Sequence, residues 1–317
     1  MTKPVTIFRW DDTGAPQVTE GRPSEYLNIF KKCLVEGYGE KSSLGWSLLD
    51  EDTESPFCAF RNDISNGGSG GVAMFGNTSD DVGQMVIVRG VQDYVDRNSY
   101  TRSSPFHAFD RASSGSNLNK YWILIGTSTA FYFFCYSDSS MESNKTGTRH
   151  IPSFFMGDII SLIPNDPAPF ICISGSKDST TTSWSYSLIY KISESTMDKL
   201  SSIHPIDGSD DPKEFSIISL FSQYGYISGT HIGEPNIRML SPCYALMYSG
   251  NLTSSSAYQN NTHPFARGLI PGLFVASDAG YRDDIPPVIK ELNGESHYLI
   301  PSCNSTTGCT WINLESW

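Results

Sequence analysis

One stretch of this sequence, residues 119–136, constrains the fold more than any other. Two apolar and aromatic runs, residues 121–125 and residues 130–136, lie on either side of a short turn at 126–129. Short β-prone runs joined by a few turn residues are typical of a β-hairpin. Because a single hairpin is not stable alone in water, this one must lie within a larger sheet, and residues 154–172 are its predicted partner. The stretch therefore predicts a β protein.

The composition agrees with that prediction. Charged residues make up 18% of the chain, which also holds 27 Gly and 18 Pro, as expected for a turn-rich β protein rather than a helical bundle. One helix is predicted at about residues 23–36, where Pro23 suits the first turn and Gly37 ends the helix. Its apolar face consists of Tyr26, Ile29, Phe30, Cys33 and Leu34. We predict a mainly β fold, an antiparallel sandwich- or barrel-like core with one N-terminal α-helix.

Further strands are predicted from apolar or alternating runs. They lie at residues 6–10, 57–61, 84–90, 183–191, 298–301 and 309–312, the last two as an edge pair. For residues 214–226 both helix and strand stay open. Residues 1–180 are predicted to form a β-rich core domain, and residues 181–317 either a second β-rich lobe or a continuation of the first. No repeat of fixed period is present, which argues against a solenoid or a propeller.

The charge of the chain excludes some classes of partner. The formal net charge is −12, so the protein is repelled by phosphate backbones, and we expect it to bind no nucleic acid. It also lacks the basic patches that would hold it on an anionic membrane. The first residues do not resemble a secretory signal, and no run approaches the ~20 apolar residues of a membrane helix. We therefore expect the protein to fold in a cytoplasm.

A series of short blocks follows the chain in a fixed order. They are residues 10–16 (Trp-Asp-Asp-Thr-Gly-Ala-Pro), residues 33–41, Gly45-Trp46, Val88-Arg89-Gly90, the hairpin at 120–134, and Met156-Gly157-Asp158-Ile159. In order and spacing these blocks resemble a family of tailed-bacteriophage virion proteins, although Met156 stands where that family has Phe. The resemblance covers residues 1–175, and the block Arg-Gly-x-x-Pro-Gly-Leu at 267–273 extends it into the C-terminal half.

The resemblance implies a role in the virus particle. We expect a non-enzymatic structural component of the virion, assembled in the host cytoplasm and held by protein–protein contacts with other capsid, neck or tail proteins. Within the particle, a capsid- or neck-associated position as a decoration or collar protein is expected, together with homo-oligomerisation. The alternative is a tail or baseplate component that binds a receptor or a glycan, with exposed aromatic residues of the segment 94–106 stacking on sugar rings.

No catalytic, cofactor-binding or metal-binding residue is predicted. None of the six histidines stands in a zinc-binding spacing, and there is no GxSxG serine hydrolase motif. The glycine-rich segment 66–71 lacks the Lys and Ser/Thr of a phosphate-binding loop, so we interpret it as a turn between strands. Asp158 is interpreted as a strand-end residue whose carboxylate accepts backbone N–H bonds. Arg89 is interpreted as a strand-end residue that binds a carboxylate or carbonyl group.

Two features of the sequence allow more than one interpretation. Asp207, Asp210 and Asp211 could bind calcium, but their spacing lacks the full Asp-x-Asp-x-Asp-Gly pattern, and a solvated acidic loop is the preferred interpretation. The seven cysteines form no CxxC pair and are interpreted as buried free thiols. Cys303 and Cys309 flank a polar turn and could form a disulfide, which a reducing compartment disfavours.

Overall fold

The computed structural model describes residues 2–109, 118–137, 152–174, 188, 202–220, 239–247, 265–276, 287–300 and 310–317. This part of the chain is mainly β, with three antiparallel sheets and one N-terminal helix, as predicted. In chain order the strands are β1 (Thr6–Arg9), β2 (Ser47–Asp52), β3 (Phe57–Arg61), β4 (Val72–Gly76), β5 (Val86–Asp96), β6 (Ser99–Ser103), β7 (His107–Phe109), β8 (Tyr121–Gly126), β9 (Ala130–Tyr136), β10 (Ser153–Asp158), β11 (Ile160–Ser161), β12 (Phe170–Ile173), β13 (Ser202–Ile203), β14 (Lys213–Ile218), β15 (Leu240–Met247), β16 (Phe265–Ala276), β17 (Ile289–Leu292), β18 (Glu295–Leu299) and β19 (Thr310–Asn313).

The predicted helix is confirmed. Helix α1 (Pro23–Lys31) continues directly into a π-helical turn, Lys32–Glu36. The Glu25 carboxylate caps its first turn, because it accepts backbone N–H bonds from Gly21 at 2.6 Å and from Arg22 at 3.0 Å. Gly37 ends the helix with a φ of +79°, where a Cβ atom would lie 2.6 Å from a backbone carbonyl oxygen.

The strands form three sheets. The central sheet has the order β1-β8-β9-β10-β12, and it contains the predicted β8–β9 hairpin. The helix-side sheet has the order β2-β3-β4-β5-β6, with β7 also paired to β5. The C-terminal sheet has the order β13-β14-β15-β16-β19-β18-β17, with β11 also paired to β16. The three sheets therefore make a layered sandwich with the central sheet in the middle.

The central sheet is covered on both faces. One face packs against α1 and the helix-side sheet through Trp122, Leu124, Phe131, Phe133 and Phe154. The opposite face packs against the C-terminal sheet through Ile123, Ile125, Tyr132, Phe134 and Phe155. Since neither face meets water, every residue of β9 is buried, which explains why this run shows no alternation of apolar and polar residues.

Residues from both sides of position 180 share one core. Phe155 and Ile171 of the central sheet belong to the same buried cluster as Leu273 and Ile312 of the C-terminal sheet. The chain ends also meet, because the Lys3 N–H donates to the carbonyl oxygen of Trp317 at 2.8 Å. The C-terminal half thus packs directly on the first half.

Several predicted strands need correction. The strand predicted at 84–90 is the longer β5, which reaches Asp96, and β2, β4 and β6 were not predicted. The strands β18 and β19 pair as predicted but are not an edge pair, since β19 also pairs with β16 and β18 also pairs with β17. The ambiguous segment 214–226 is a strand where it is described, in β14. The predicted strand 183–191 lies outside the described residues except for Leu188.

Candidate functional site

The glycine-rich segment 66–71 closes around the buried carboxylate of Asp158. The Ser69 N–H donates to Asp158 Oδ2 at 2.8 Å, and the Ser69 hydroxyl donates to Oδ1 at 2.6 Å. Asn62 Nδ2 supplies a third hydrogen bond to Oδ2 at 2.8 Å. Asp158 ends β10 of the central sheet, whereas the other two residues lie around the β3–β4 connection of the helix-side sheet. The carboxylate therefore joins two layers of the sandwich.

The local sequence makes this close approach possible. The Asn62 side chain also orders the loop, because its Oδ1 accepts the Gly70 N–H at 2.8 Å. A Cβ atom on Gly71 would lie 2.2 Å from the ring of Phe170, and one on Gly157 would lie 2.3 Å from the backbone of Ala130. Only glycine fits at either position, so these two glycines allow the close packing of the loop and the strand end.

The electrostatics of Asp158 follow from its burial. Removal from water raises the pKa of this carboxyl group to about 6, although the donors Ser69 and Asn62 and the charge of Lys3 act in the opposite direction. A carboxyl group with such a pKa can exchange a proton near neutral pH. The structure shows the strand-end position and the backbone N–H bond predicted from the sequence, and it confirms that segment 66–71 connects two strands.

A second buried carboxylate, Asp166, binds a buried arginine. Arg267 Nε donates to Asp166 Oδ2 at 2.6 Å, and its Nη2 donates to Oδ1. The guanidinium group is 0% exposed and the carboxylate 3% exposed. Ser161 adds a hydroxyl donor to Oδ2 at 2.6 Å. Burial raises the pKa of Asp166, but the bonds from Arg267 and Ser161 outweigh this effect and hold the pKa below its ordinary value.

The position of Arg267 comes from an irregularity in the sheet. The register between β15 and β16 shifts at Ala245 and Leu246, which pair with Gly268 and Ala266. Arg267 is the extra residue of this β-bulge, and bulges re-aim side chains. Its carbonyl oxygen accepts the Leu162 N–H at 2.8 Å, so backbone and side chain both hold the segment that follows β11.

Other residues of the block 267–273 also have packing roles. The Tyr132 hydroxyl of the central sheet donates to the Pro271 carbonyl oxygen at 2.6 Å. Gly272 has a φ of +66°, and a Cβ atom there would lie 2.0 Å from the Trp317 indole. The block therefore fixes the C-terminal sheet to the central sheet and to the end of the chain.

The first two resemblance blocks meet at Asp12. The Oδ2 atom of Asp12 accepts a bond from the Tyr38 hydroxyl at 2.8 Å and one from Lys41 Nζ at 2.6 Å. Lys41 Nζ also donates to the Ile7 carbonyl oxygen at 2.7 Å. The ammonium group of Lys41 therefore lies at the outer edge of β1. Burial raises the pKa of Asp12, but its hydrogen bonds, led by that from Lys41, leave the pKa lowered. Burial also raises the pKa of the Tyr38 hydroxyl. This cluster closes an edge of the central sheet.

Comparison with known proteins assigns no family. No protein-family model matches this chain, and no curated protein matches its sequence. The interpretation of the site therefore depends on its geometry and on the resemblance given by the short sequence blocks.

Arg89 is not the strand-end residue predicted from the sequence. It lies in the middle of β5, its guanidinium group 5.3 Å from the ring centre of Tyr100 and 5.7 Å from that of Phe106. Its Nη1 donates to the Tyr100 hydroxyl. The prediction placed the residue wrongly because β5 continues beyond Gly90 into a hairpin with β6, so Arg89 supports aromatic rings instead of capping a strand.

The β5–β6 hairpin, residues 91–103, packs over the outer face of the helix-side sheet. The Tyr94 hydroxyl donates to Asp50 Oδ2 at 2.8 Å, and Arg97 Nη1 donates to Asp52 Oδ2 at 3.0 Å. The hairpin covers an apolar cluster that includes Phe57. The aromatic rings proposed for sugar stacking are thus already in contact with residues of this chain.

The remaining predicted sites are placed as follows. Asp210 Oδ1 accepts the Arg102 N–H at 2.9 Å, and Asp207 Oδ1 accepts the Ser209 N–H at 2.9 Å. Within the described ranges, no group of three or more His, Cys, Asp or Glu side chains could hold a metal ion, including these aspartates. Five cysteines are buried free thiols, namely Cys33, Cys58, Cys135, Cys172 and Cys243. Cys303 and Cys309 lie outside the described residues. No helix in the described part of the chain is long and apolar enough to span a membrane.

One surface was missed by the sequence analysis. On the outer face of the C-terminal sheet, four apolar side chains from four adjacent strands form a row: Ile218, Tyr244, Leu269 and Ile160. These residues are far apart in the sequence, and a single sequence does not show which strands pair. The available signal was the alternation within β14 and β15, which leaves apolar residues on both faces of the sheet.

Proposed function

We propose that this protein is a structural component of a tailed-phage virion, held by protein–protein contacts and located at the capsid or neck as a decoration or collar protein. The observation that carries the proposal is the position of the charged residues in the resemblance blocks. Asp12, Asp158 and Arg267 come from three separate blocks, and each makes buried or half-buried contacts within or between the layers of the sandwich.

These contacts give the blocks a common physical meaning. Residues of separate blocks cooperate in one packing arrangement, since Asp12 meets Tyr38 of the next block and Tyr132 of the hairpin block meets Pro271 of the last. Sequences that keep these blocks in the same order can keep the same arrangement. These contacts support a resemblance in fold to that family, and the proposed virion role is inferred from the resemblance.

The layered body suits a role based on contacts. Its charged motif residues hold the layers together, and the outer face of its C-terminal sheet offers apolar side chains to a partner. Buried aromatic and aliphatic anchors supply most of the energy in protein interfaces. The alternative position, in the tail or baseplate with a receptor- or glycan-binding role, uses the same body but needs a ligand surface on it.

Purified particles provide the test. We expect mass spectrometry of extensively washed particles to detect the protein, and cryo-EM to show sandwich-shaped density at the capsid or neck. Density at the distal tail would overturn the neck position and favour host contact, to be followed by a glycan-binding screen. Absence of the protein from washed particles would overturn the structural role itself.

A further inference from the structure

The outer face of the C-terminal sheet carries a continuous apolar row. Ile218 of β14 pairs with Tyr244 of β15, which pairs with Leu269 of β16, which in turn pairs with Ile160 of β11. Residues directly opposite one another in a sheet lie on the same face. Since neighbouring strands are ~4.8 Å apart, the four Cα atoms span about 14 Å.

The row lies on the sheet face that points away from the core, where Ile160 is exposed and the other three side chains are half-buried. Neighbours along the strands, Phe215 in β14 and Ala245 in β15, are buried in the core shared with the central sheet. The alternating residues of the row therefore point away from that core. Ile160 is 46% exposed, and Leu162, two residues further along the same edge, is 53% exposed. Leu246 extends the face next to Tyr244 and is half-buried.

We propose that this face is a two-fold interface between two copies of the chain. The two-fold axis lies in the plane of the interface, parallel to the strands and midway between Tyr244 and Leu269. It places Tyr244 of one copy opposite Leu269 of the partner copy. The same axis places Ile218 on Ile160 of the partner copy. An isologous interface needs such a self-complementary surface, and two sheets packed face to face are a common arrangement of β sandwiches.

The order of side chains favours a second copy as the occupant. Across the strands the order of the side chains is isoleucine, tyrosine, leucine, isoleucine. The pattern is the same in either direction, because a β-branched side chain stands at each end and the two others stand in the centre. Two-fold packing therefore brings isoleucine against isoleucine at the ends of the row and tyrosine against leucine in its centre. A partner of unrelated sequence would have no reason to require this symmetry.

Charge supports the same occupant. The chain has a formal net charge of −12, so two copies repel each other over most of their surfaces. None of the residues of the row is charged, and neither is Leu162 or Leu246. Contact along this row therefore buries no like charges, whereas contact through a charged part of the surface of a strongly acidic protein would.

Two charge substitutions test the register of the interface. I218K and I160D each place an unpaired charge at one end of the row, within the proposed contact, and each variant alone is expected to dimerise ~100-fold more weakly than wild type or worse. When the two variants are mixed, each heterodimer sets the substituted position of one chain against that of the other. We expect dimers to return only in the mixture, measured by sedimentation velocity and by native mass spectrometry, which separates the two masses.

A matched control uses an exposed valine on a different layer. Val95 in the β5–β6 hairpin is 77% exposed, and V95D is expected to dimerise like wild type. Circular dichroism and thermal unfolding identify any variant that fails to fold, and L269D then replaces it as the disrupting variant. A wild-type protein that stays monomeric at all concentrations, single variants that still dimerise, or a mixture without heterodimers would each overturn the proposal.

The inference rests on the proposed role as a protein held by protein contacts, but the two can fail separately. A monomer in solution that is present on washed particles would overturn the two-fold interface and leave the virion role intact. If the protein forms a dimer that I160D disrupts, but is absent from washed particles, the two-fold interface would stand and the virion role would be overturned.

Discussion

Two buried carboxylates in the same part of the chain have different partners: Asp158 binds neutral hydrogen-bond donors, whereas Asp166 binds a positively charged arginine. Both side chains are buried, and both join segments of different layers. Asp158 accepts its bonds from the neutral donors Ser69 and Asn62, and its pKa is raised to about 6. Asp166 binds the buried guanidinium group of Arg267, and its pKa is lowered.

The difference shows what decides the sign of the shift. Burial raises the pKa at both sites and is the largest single effect at each. Neutral donors offset only part of the desolvation of Asp158, whereas a bidentate arginine reverses it for Asp166. The pKa of the first site therefore lies close to the neutral range, whereas the second site stays charged there.

The largest expected effect is at the charged pair. R267M leaves the Asp166 carboxylate buried without its cation, and we expect the free energy of unfolding to fall by about 3–5 kcal/mol. Equilibrium urea unfolding at neutral pH measures the loss. The double variant R267M/D166N removes both charges, so it should recover most of that stability. A single variant as stable as wild type would show that the pair does not hold the layers.

The next effect is a pH dependence with opposite signs at the two sites. The folded-state pKa of Asp158 is raised, so its stabilising contribution is complete below the ordinary value of 3.8 and is lost as the pH rises through about 6. Stability of wild type relative to D158N should therefore fall by about 2 kcal/mol between pH 4 and 7. Unfolding curves of both proteins at each pH in that range measure the difference in stability. Other titrating groups are the same in both proteins, so their contributions cancel in this difference.

Asp166 provides the comparison for that experiment. Its folded-state pKa is lowered, so its contribution is present above the ordinary value of 3.8 and is lost as the pH falls through the folded-state pKa. Stability of wild type relative to D166N should therefore decrease on acidification. If the two variants showed the same direction of pH dependence, the distinction between the two sites would be wrong.

Local sequence signals predicted the parts of the fold that depend on neighbours in the chain. Helix α1 was predicted because its apolar positions, its starting proline and its terminating glycine lie within fifteen residues. The β8–β9 hairpin was predicted for the same reason. The sequence predicted that this hairpin lies within a larger sheet, but not that β9 is buried on both faces.

Long-range contacts could not be predicted in this way. The sequence gives no sign that Ser69 meets Asp158, or that a bulge turns Arg267 towards Asp166, because each contact depends on how whole sheets pack. Arg89 was misplaced because β5 continues past Gly90. The resemblance blocks mark several of these residues, but their physical roles become visible only in the folded chain.

The smallest expected effect compares one hydroxyl donor at each site. S69A removes the Ser69 hydroxyl from Asp158, where no arginine compensates, and we expect a loss of about 1–2 kcal/mol at neutral pH and a further rise in the pKa of Asp158. S161A removes the equivalent donor from Asp166, whose bidentate bonds to Arg267 remain, so a loss of about 0.5–1 kcal/mol is expected. Carboxyl ¹³C chemical shifts followed through a pH titration measure both pKa changes. Equal shifts at the two sites would mean that the arginine does not dominate at Asp166, because a carboxylate already held by a cation should be less sensitive to the loss of one neutral donor.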